Sequence, residues 1–176
     1  MATKAFFAGI VAAVFIQRLF ELRISQSNVA YMLAKGGREH GSNYLWVVKV
    51  LQVGWFGAMI TEVWWLDRPF VPTLAAITLI ATVAGQYLRY LSMRSLLQRW
   101  TLPIITLPGA PVIDSGIYRY LRHPNWLGVS LEIAAVPLIH TAYLTTIFFS
   151  VANAFLMSKR IQTEEQALSE DNRPVG

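Results

Sequence analysis

The chain has 176 residues, of which 55% are hydrophobic and 14% charged, and it carries six Trp, seven Tyr and nine Phe. A soluble domain of this length cannot bury so much apolar surface in one core, so the composition predicts a single membrane domain. The formal net charge of +5 does not indicate a nucleic-acid site, because the basic residues are spread between apolar runs as topology signals and headgroup contacts. The lack of cysteine excludes disulfides and Cys-ligated metals, and the few, distant histidines predict no metal site.

Five apolar segments approach the length of about 20 residues that a helix needs to cross a bilayer. They are residues 4–23, 44–66, 70–91, 124–140 and 141–159. The last two are short and meet at His140, so they predict a tight helical hairpin, either spanning or re-entrant, with His140 in its turn. The predicted fold is an all-α, polytopic integral membrane protein with about five transmembrane helices and a cytosolic cofactor pocket.

The single domain, residues 1–176, divides into four parts. Residues 1–91 form the three N-terminal spans, 92–123 a cap segment, 124–159 the hairpin, and 160–176 a cytosolic C-terminal helix and tail. Prolines at 103, 108 and 111 forbid regular helix in the cap segment. A connection of this length is usually functional, so we expect it to cover a cytosolic pocket. The alternative is a connector that lies on lipid headgroups.

Basic residues fall unevenly between the two sides of this arrangement. Lys4 and Arg68 are exposed on one side, and the other side holds most of the arginines, including Arg23, Arg89 and Arg94, which we interpret as orientation signals. The positive-inside rule then predicts an external N-terminus and a cytoplasmic C-terminus.

The first motif that indicates a functional site is residues 122–128, Arg-His-Pro-Asn-Trp-Leu-Gly. Pro124 suits the first turn of a helix, where its missing N–H costs nothing. Arg122 and His123 then lie at a helix N-terminus, where unpaired N–H groups and the helix dipole attract an anion. The motif predicts a carboxylate or phosphate site beside the aromatic face of Trp126. The alternative is a basic interfacial anchor.

The second motif is residues 160–168, Arg-Ile-Gln-Thr-Glu-Glu-Gln-Ala-Leu. Arg160 and Glu164 are spaced i, i+4 and can pair on one helical face, although an ordinary exposed helix carries such pairs too. The predicted hairpin brings this motif and the first to the same cytosolic mouth. Such a place suits an amphoteric ligand. Glu164 and Glu165 would bind its positively charged or hydroxyl-bearing groups, and aromatic side chains would stack on a sulfonium or an adenine.

These motifs resemble the isoprenylcysteine carboxyl methyltransferase family, membrane methyltransferases that use S-adenosylmethionine. The family pattern is Arg-His-Pro-x-Tyr-x-Gly, an apolar hairpin and a Glu-Glu pair, and the likeness covers roughly residues 96–168. Trp126 replaces the tyrosine, so stacking survives without a phenolic hydroxyl. Within the family, the chain resembles most a bacterial branch that methylates alkylpyrones and alkylresorcinols. Residues 18–22, Asn28 and residues 36–41 carry that closer likeness, which implies a bacterial inner membrane.

The resemblance implies S-adenosyl-L-methionine as the cofactor. The residues implied to bind it are Trp100, Gly116, Tyr118, His123, Pro124, Trp126, Arg160 and Glu165. The implied catalytic residues are Arg122, His123 and Glu164, and Arg122 and Arg160 are expected to hold carboxylate groups. A carboxylate acceptor needs no base, whereas a phenol, with a pKa of about 10, gains from one, and His123 or a glutamate is the nearest candidate.

Three charged residues inside the predicted spans are candidates for substrate binding, because intramembrane charges are functional by default. Arg18 and Glu21 are spaced i, i+3 and alternatively pair with each other or snorkel to the interface. Glu132 lies about two turns into the fourth span. We expect it to face the bundle interior, toward Lys49 or Asn153, and to line an acceptor cavity.

The expected function is S-adenosylmethionine-dependent O-methylation of a lipophilic acceptor that enters from the bilayer, such as an alkylresorcinol or alkylpyrone hydroxyl. We expect membrane lipids as the protein's other partners, and we expect it to bind neither nucleic acid nor metal. One alternative is carboxyl methylation of a prenylated cysteine, and another is a non-enzymatic scaffold or transporter subunit. A transporter is expected to show internal duplication and polar residues at mid-membrane, whereas the polar clusters here lie at the cytosolic end.

Overall fold

The computed structural model describes residues 1–41 and 43–171. Within them the chain forms five α-helices: α1 (Ala2–Ala34), α2 (Asn43–Trp65), α3 (Pro72–Leu96), α4 (Pro124–Leu138) and α5 (Tyr143–Asp171). Two short 3-10 helices, Leu97–Arg99 and Gly116–Arg119, and two short strands, β1 (Arg38–His40) and β2 (Ile104–Thr106), complete the described elements. The predicted all-α class is confirmed, and the last part of the predicted tail, residues 172–176, lies outside the described residues.

Three of the described helices are long and apolar enough to cross a membrane: Ala2–Ala34, Leu45–Trp65 and the α3 region Pro72–Arg99. The helix that contains the first predicted span, residues 4–23, continues to Ala34, since residues 24–35 contain no Gly or Pro. The 15 residues of α4 rise only about 22 Å. The fourth and fifth spans therefore remain predictions.

Helices α3 and α4 pack at their closest approach through two glycines. A Cβ atom on Gly128 would lie 2.6 Å from the carbonyl oxygen of Gly85 and 2.7 Å from Cγ of Arg89. Small residues allow helix backbones in membranes to approach in this way. The space that Gly128 leaves is therefore filled by the stem of Arg89, which passes α4 to reach Glu132.

Replacing Gly128 by alanine is expected to lower the free energy of unfolding by about 1–3 kcal/mol, the usual cost of overpacking a well-packed interior. The clash involves backbone, so neither helix can relieve it by a rotamer change. Unfolding of the detergent-solubilised protein by heat or denaturant measures the loss. Gly57→Ala on α2 is the matched control, since a Cβ there meets nothing within 4 Å; an equal effect of both substitutions would contradict the close packing.

An unpredicted pair of strands joins the cap segment to the stretch that follows α1. β1 and β2 are antiparallel, with Arg38 opposite Thr106 and His40 opposite Ile104. Gly37 allows the chain to turn into β1, because a Cβ on it would lie 2.7 Å from the carbonyl oxygen of Met32. The sheet ties the end of α1 to the cap. Strands of three residues are too short to show a periodic pattern.

The other end of the bundle is closed by residues 139–142, which join α4 to α5. His140 lies in this turn, as predicted, and is 1% exposed. Its ring lies 5.7 Å from that of Phe7 and 5.6 Å from that of Phe70. Burial lowers the pKa of His140, so the imidazole is neutral at physiological pH and acts as a packing residue at this end.

Candidate functional site

A polar cavity lies where α3 ends and α4 begins. It consists of two adjoining parts of about 430 Å³ and 90 Å³ that share Arg99, Tyr118, His123 and Glu164. The larger part falls in the range of roughly 300–1,000 Å³ that is usual for small-molecule sites. Helix α5 contributes Glu164 and Glu165, and the cap segment contributes Tyr118 and β2. The polar cavity thus joins residues of α1, the cap segment, α4 and α5.

The two sequence motifs contact each other at this cavity. Nε2 of His123 lies 3.2 Å from Oε1 of Glu165, and Nε1 of Trp126 donates a hydrogen bond of 3.2 Å to Oε2 of Glu164. Residues about 40 positions apart therefore form two adjacent pairs. Pro124 is buried at the first turn of α4, as predicted, which places His123 at the N-cap. The family pattern has a tyrosine at the position of Trp126, and the indole N–H of Trp126 supplies a hydrogen bond in place of the missing tyrosine hydroxyl.

Arg160 is buried in the lining of the smaller part of the polar cavity. Its guanidinium donates to the carbonyl oxygen of Leu102, and its Cζ lies 4.5 Å from the ring centroid of Trp126. Within the described part of the chain, these contacts replace the i, i+4 ion pair predicted with Glu164, because Arg160 is only 3% exposed. Burial lowers the pKa of Arg160 to about 10. Arg160 thus holds Trp126 and the cap in place.

Arg122, in contrast, is exposed and lines the larger part of the polar cavity. Its guanidinium is the better placed of the two predicted carboxylate ligands. Arg99, which the sequence did not single out, lines both parts and donates a 2.8 Å hydrogen bond to the carbonyl oxygen of Pro111. The basic side of the larger part is therefore formed by Arg99 and Arg122.

The cap is anchored to α1 through polar contacts beside Trp100. The Asn28 amide donates to the carbonyl oxygen of Trp100 at 2.7 Å, and the Ser25 hydroxyl accepts from the backbone N–H of Leu102 at 2.8 Å. Trp100 is 2% exposed and lines the smaller part of the polar cavity. Helix α1 thereby fixes the indole of Trp100 against the site.

Tyr118 and Gly116 belong to the same short helix but take different positions. Tyr118 lines both parts of the polar cavity, and burial raises its pKa to about 12. Its phenol stays neutral and can donate a hydrogen bond but cannot act as a base at neutral pH. Gly116 has a φ of +61° and packs on α3, where a Cβ would clash with the Ser95 hydroxyl oxygen. Gly116 shapes the cap turn and is not among the described residues that line the cavity.

A buried charge cluster lies deeper in the bundle and is formed by Arg18, Glu21, Arg89 and Glu132. Arg18 pairs with both Glu21 and Glu132, and Arg89 pairs with the same two carboxylates. Gln86 also donates to Glu132. Two arginines and two glutamates compensate each other's charge, which makes their burial in an apolar bundle tolerable.

The charge cluster corrects two sequence interpretations. Arg89 is not an orientation signal, because it is 2% exposed and paired with Glu21 and Glu132. Glu132 faces the interior as predicted, but its partners are Arg18, Arg89 and Gln86 rather than Lys49 or Asn153. The sequence does contain a signal for this pairing. Arg89 follows Gly85 by four residues and Glu132 follows Gly128 by four, so each charged residue lies on the same helix face as a glycine.

An apolar cavity of about 360 Å³ borders the charge cluster and the polar cavity. Its lining comes mainly from α1, α2, α4 and α5, and includes Arg18, Glu21 and Arg89. Asn125 and Trp126 line both this cavity and the polar cavity, so they form the partition between them. Glu132 is fully buried behind Arg18. Asn125 was not singled out in the sequence, although it lies within the first motif.

The comparison with protein families agrees with this arrangement. The model of the isoprenylcysteine carboxyl methyltransferase family matches residues 76–170, which include the polar cavity's His123, Trp126, Glu164 and Glu165. The chain belongs to this family. Members are membrane-bound, S-adenosylmethionine-dependent methyltransferases, so family membership indicates a membrane methyltransferase.

Two bacterial relatives are similar over nearly their whole length. The uncharacterized protein YpbQ of Bacillus subtilis is 31% identical over 170 residues, which cover 92% of this chain and 95% of YpbQ. An uncharacterized protein of Haemophilus influenzae is 25% identical over 159 residues, covering 90% of this chain and 92% of its own. No solved structure matches the chain significantly. Neither relative's description gives a substrate, so the acceptor has to be inferred from the site.

Proposed function

We propose that this protein is an S-adenosylmethionine-dependent membrane methyltransferase that methylates a hydroxyl group of a lipophilic acceptor, such as an alkylresorcinol or alkylpyrone. The observation that carries the proposal is the partition formed by Asn125 and Trp126. It separates a polar cavity of cofactor size from an apolar cavity that can take a hydrocarbon chain. A reaction between a polar cofactor and a lipid needs two such sites in contact.

The donor set of the polar cavity fits the cofactor's chemical groups. Glu164 and Glu165 offer carboxylates for hydroxyl and ammonium groups, and exposed Arg122 offers a guanidinium for a carboxylate. The indoles of Trp100 and Trp126 offer aromatic surfaces for a base or a cationic sulfur. S-adenosylmethionine held by these residues would supply an electrophilic methyl group for transfer to the acceptor oxygen, with the bonding electron pair left on sulfur.

The protein's own task is to align the acceptor and to remove its proton. His123 is the proposed proton acceptor, since it lines the polar cavity and Glu165 orients its ring through Nε2. Neutral Tyr118 cannot take this role because of its raised pKa. Arg18, Glu21 and Glu132 support the acceptor end, with Glu132 acting through Arg18.

The proposed topology places the polar cavity in the cytoplasm and the N-terminus outside, in a bacterial inner membrane. Helices α4 and α5 then form a hairpin that brings the number of membrane-inserted segments to five. The acceptor reaches the apolar cavity from the bilayer. Arg122 and Arg99 fall on the cytoplasmic side, as the positive-inside rule requires.

Calorimetric titration of the purified, detergent-solubilised protein with S-adenosylmethionine tests this proposal. We expect binding in the micromolar range and a loss of roughly 10- to 100-fold in affinity for Glu165→Ala, the scale of one hydrogen bond to a charged group. Glu165 is exposed, so its replacement spares the fold. Gln166→Ala is the matched control, since Gln166 is an exposed neighbour on α5 outside the described cavity lining. A folded wild-type protein that binds no S-adenosylmethionine would disprove the assignment.

A further inference from the structure

One wall of the larger part of the polar cavity is a loop without helix or strand, residues 107–115, which we call the cap loop. It connects β2 to the 3-10 helix Gly116–Arg119. Val112, Ile113 and Asp114 of this loop line the cavity. None of the loop residues is buried, and Val112 is 57% exposed. Segments with so few buried contacts open locally at the smallest free-energy cost, so the cap loop is the part of the wall best able to move.

Both ends of the cap loop are fixed to the rest of the protein. Before it, all residues of β2 are buried and pair with β1. After it, Gly116 is packed against Ser95 of α3. Between these anchors Gly109 has a φ of +73°, and a Cβ on it would meet nothing within 4 Å, so neighbouring atoms do not restrain the backbone there. Motion is therefore confined to the loop and needs no unpacking of a helix.

The remaining walls of the larger part are built from regular structure. Among the described residues they come from α1, α3, α5, β2, the two 3-10 helices and the N-terminal end of α4. A ligand that entered through these walls would separate packed elements, whereas movement of the cap loop leaves them in place. Active-site loops of this kind admit ligands, exclude water during the reaction and often limit the rate of product release.

One side-chain hydrogen bond joins the cap loop to the body of the protein within the described part of the chain. Nη1 of Arg99 donates it to the carbonyl oxygen of Pro111 at 2.8 Å. Arg99 itself is held in place, because the Asn28 amide donates to the carbonyl oxygens of Leu97 and Trp100 on either side of it. A single exposed hydrogen bond shifts an equilibrium by roughly 3- to 10-fold, which is enough to favour the closed loop and weak enough to break repeatedly.

We propose that the cap loop is a lid, which opens to exchange cofactor and product, and that Arg99 is the positioning residue that latches it closed. The inference rests on the proposed methyltransferase function for the identity of these ligands. Arg99 acts through Pro111 rather than on the reacting atoms, and Arg122 remains available for a ligand carboxylate. The closed lid excludes water from the polar cavity, and its opening sets the rates of cofactor binding and product release.

The kinetics of S-adenosylhomocysteine binding to the full chain in lipid nanodiscs test the latch. The ligand enters and leaves only through an open lid, so Arg99→Gln should raise the association and the dissociation rate constants together, each roughly 3- to 10-fold. The Kd should stay close to the wild-type value, because the latch affects entry and exit equally. Arg99→Lys should restore part of the wild-type behaviour, since an ammonium group also donates hydrogen bonds. Faster dissociation alone, with a proportionate rise in Kd, would show a direct ligand contact and overturn the latch.

Arg119→Gln is the matched control for the change in charge. Arg119 is exposed and is not among the described residues that line the polar cavity. Its replacement removes the same charge as Arg99→Gln and should leave both rate constants unchanged. Equal acceleration by the two variants would mean that net charge controls entry, and it would contradict the inference.

Spin-label distances test the lid independently of ligand binding. The chain has no cysteine, so labels on Val112→Cys and Gln166→Cys measure the separation of the cap loop from α5 by double electron–electron resonance. Arg99→Gln should add longer distances in the ligand-free protein, and S-adenosylhomocysteine should narrow the wild-type distribution to the shorter ones. Distances that neither change alters would overturn the lid. If the wild type binds no S-adenosylhomocysteine, the methyltransferase proposal fails, and the effect of Arg99→Gln on the distances alone decides whether the cap loop is a lid.

Discussion

Replacing Glu132 by alanine is expected to lower the free energy of unfolding by about 3–5 kcal/mol, the usual cost of leaving a buried ion pair without one partner. Glu132 is fully buried and pairs with Arg18 and Arg89. Without its carboxylate, two arginines share Glu21, and a net positive charge stays in the bundle. Equilibrium unfolding of the purified protein in detergent measures the change.

The double variant Arg89→Gln/Glu132→Gln separates charge from packing. It removes one charge of each sign, so its cost should be smaller than the sum of the two single changes. Asp67→Ala is an exposed comparison: its pair with Lys4 lies at the surface, where such pairs contribute little. Additive single and double effects would mean that Arg89 and Glu132 do not stabilise each other.

Replacing His123 by alanine is expected to lower kcat for a phenolic acceptor by about 10²- to 10⁴-fold, the range for loss of a general base. The reason is the proposed transfer of the acceptor's proton to His123, whose ring Glu165 orients at 3.2 Å. The pH profile gives the second measurement. The variant's rate should rise with pH toward the phenol's own pKa of about 10, because the acceptor then ionises without help.

His40→Gln is a suitable control for this experiment. His40 lies in β1 with Nε2 2.8 Å from the Thr106 hydroxyl oxygen, and it is not among the described residues that line the polar cavity. Its replacement should leave kcat within a factor of a few. A His123→Ala enzyme with a normal kcat, or with an unchanged pH profile, would exclude His123 as the base.

The local motifs could be predicted from sequence because each carries its own signal. The His-Pro step predicted the start of α4, and the Glu-Glu pair predicted the acidic side of the polar cavity. The first three spans followed from hydropathy. Each of these features depends on residues close together in the chain, where spacing and composition are sufficient evidence.

The partners of buried polar groups could not be predicted in the same way. Arg89 has the sequence context of an orientation signal, and only the approach of Gly85 to Gly128 buries it beside Glu132. Arg160 is spaced for Glu164 but reaches Leu102, because the cap segment folds back over α5. Such pairings depend on how helices pack in three dimensions, which one sequence does not specify.

Helix α1 lies outside the region matched by the family model, yet it contacts both cavities. Glu21, Ser25, Asn28 and Met32 are buried at alternating intervals of four and three residues, so they occupy one face of a continuous helix. Glu21 borders the apolar cavity, and Asn28 anchors Trp100 at the polar cavity. Asn28 is seven positions after Glu21, a distance of about 10 Å along the axis. This fixed length couples the charge cluster beside the apolar cavity to Trp100 at the polar cavity. A one-residue insertion or deletion between Glu21 and Asn28 turns the rest of the helix by about 100°, so it should disturb the apolar cavity and the anchor of Trp100 together.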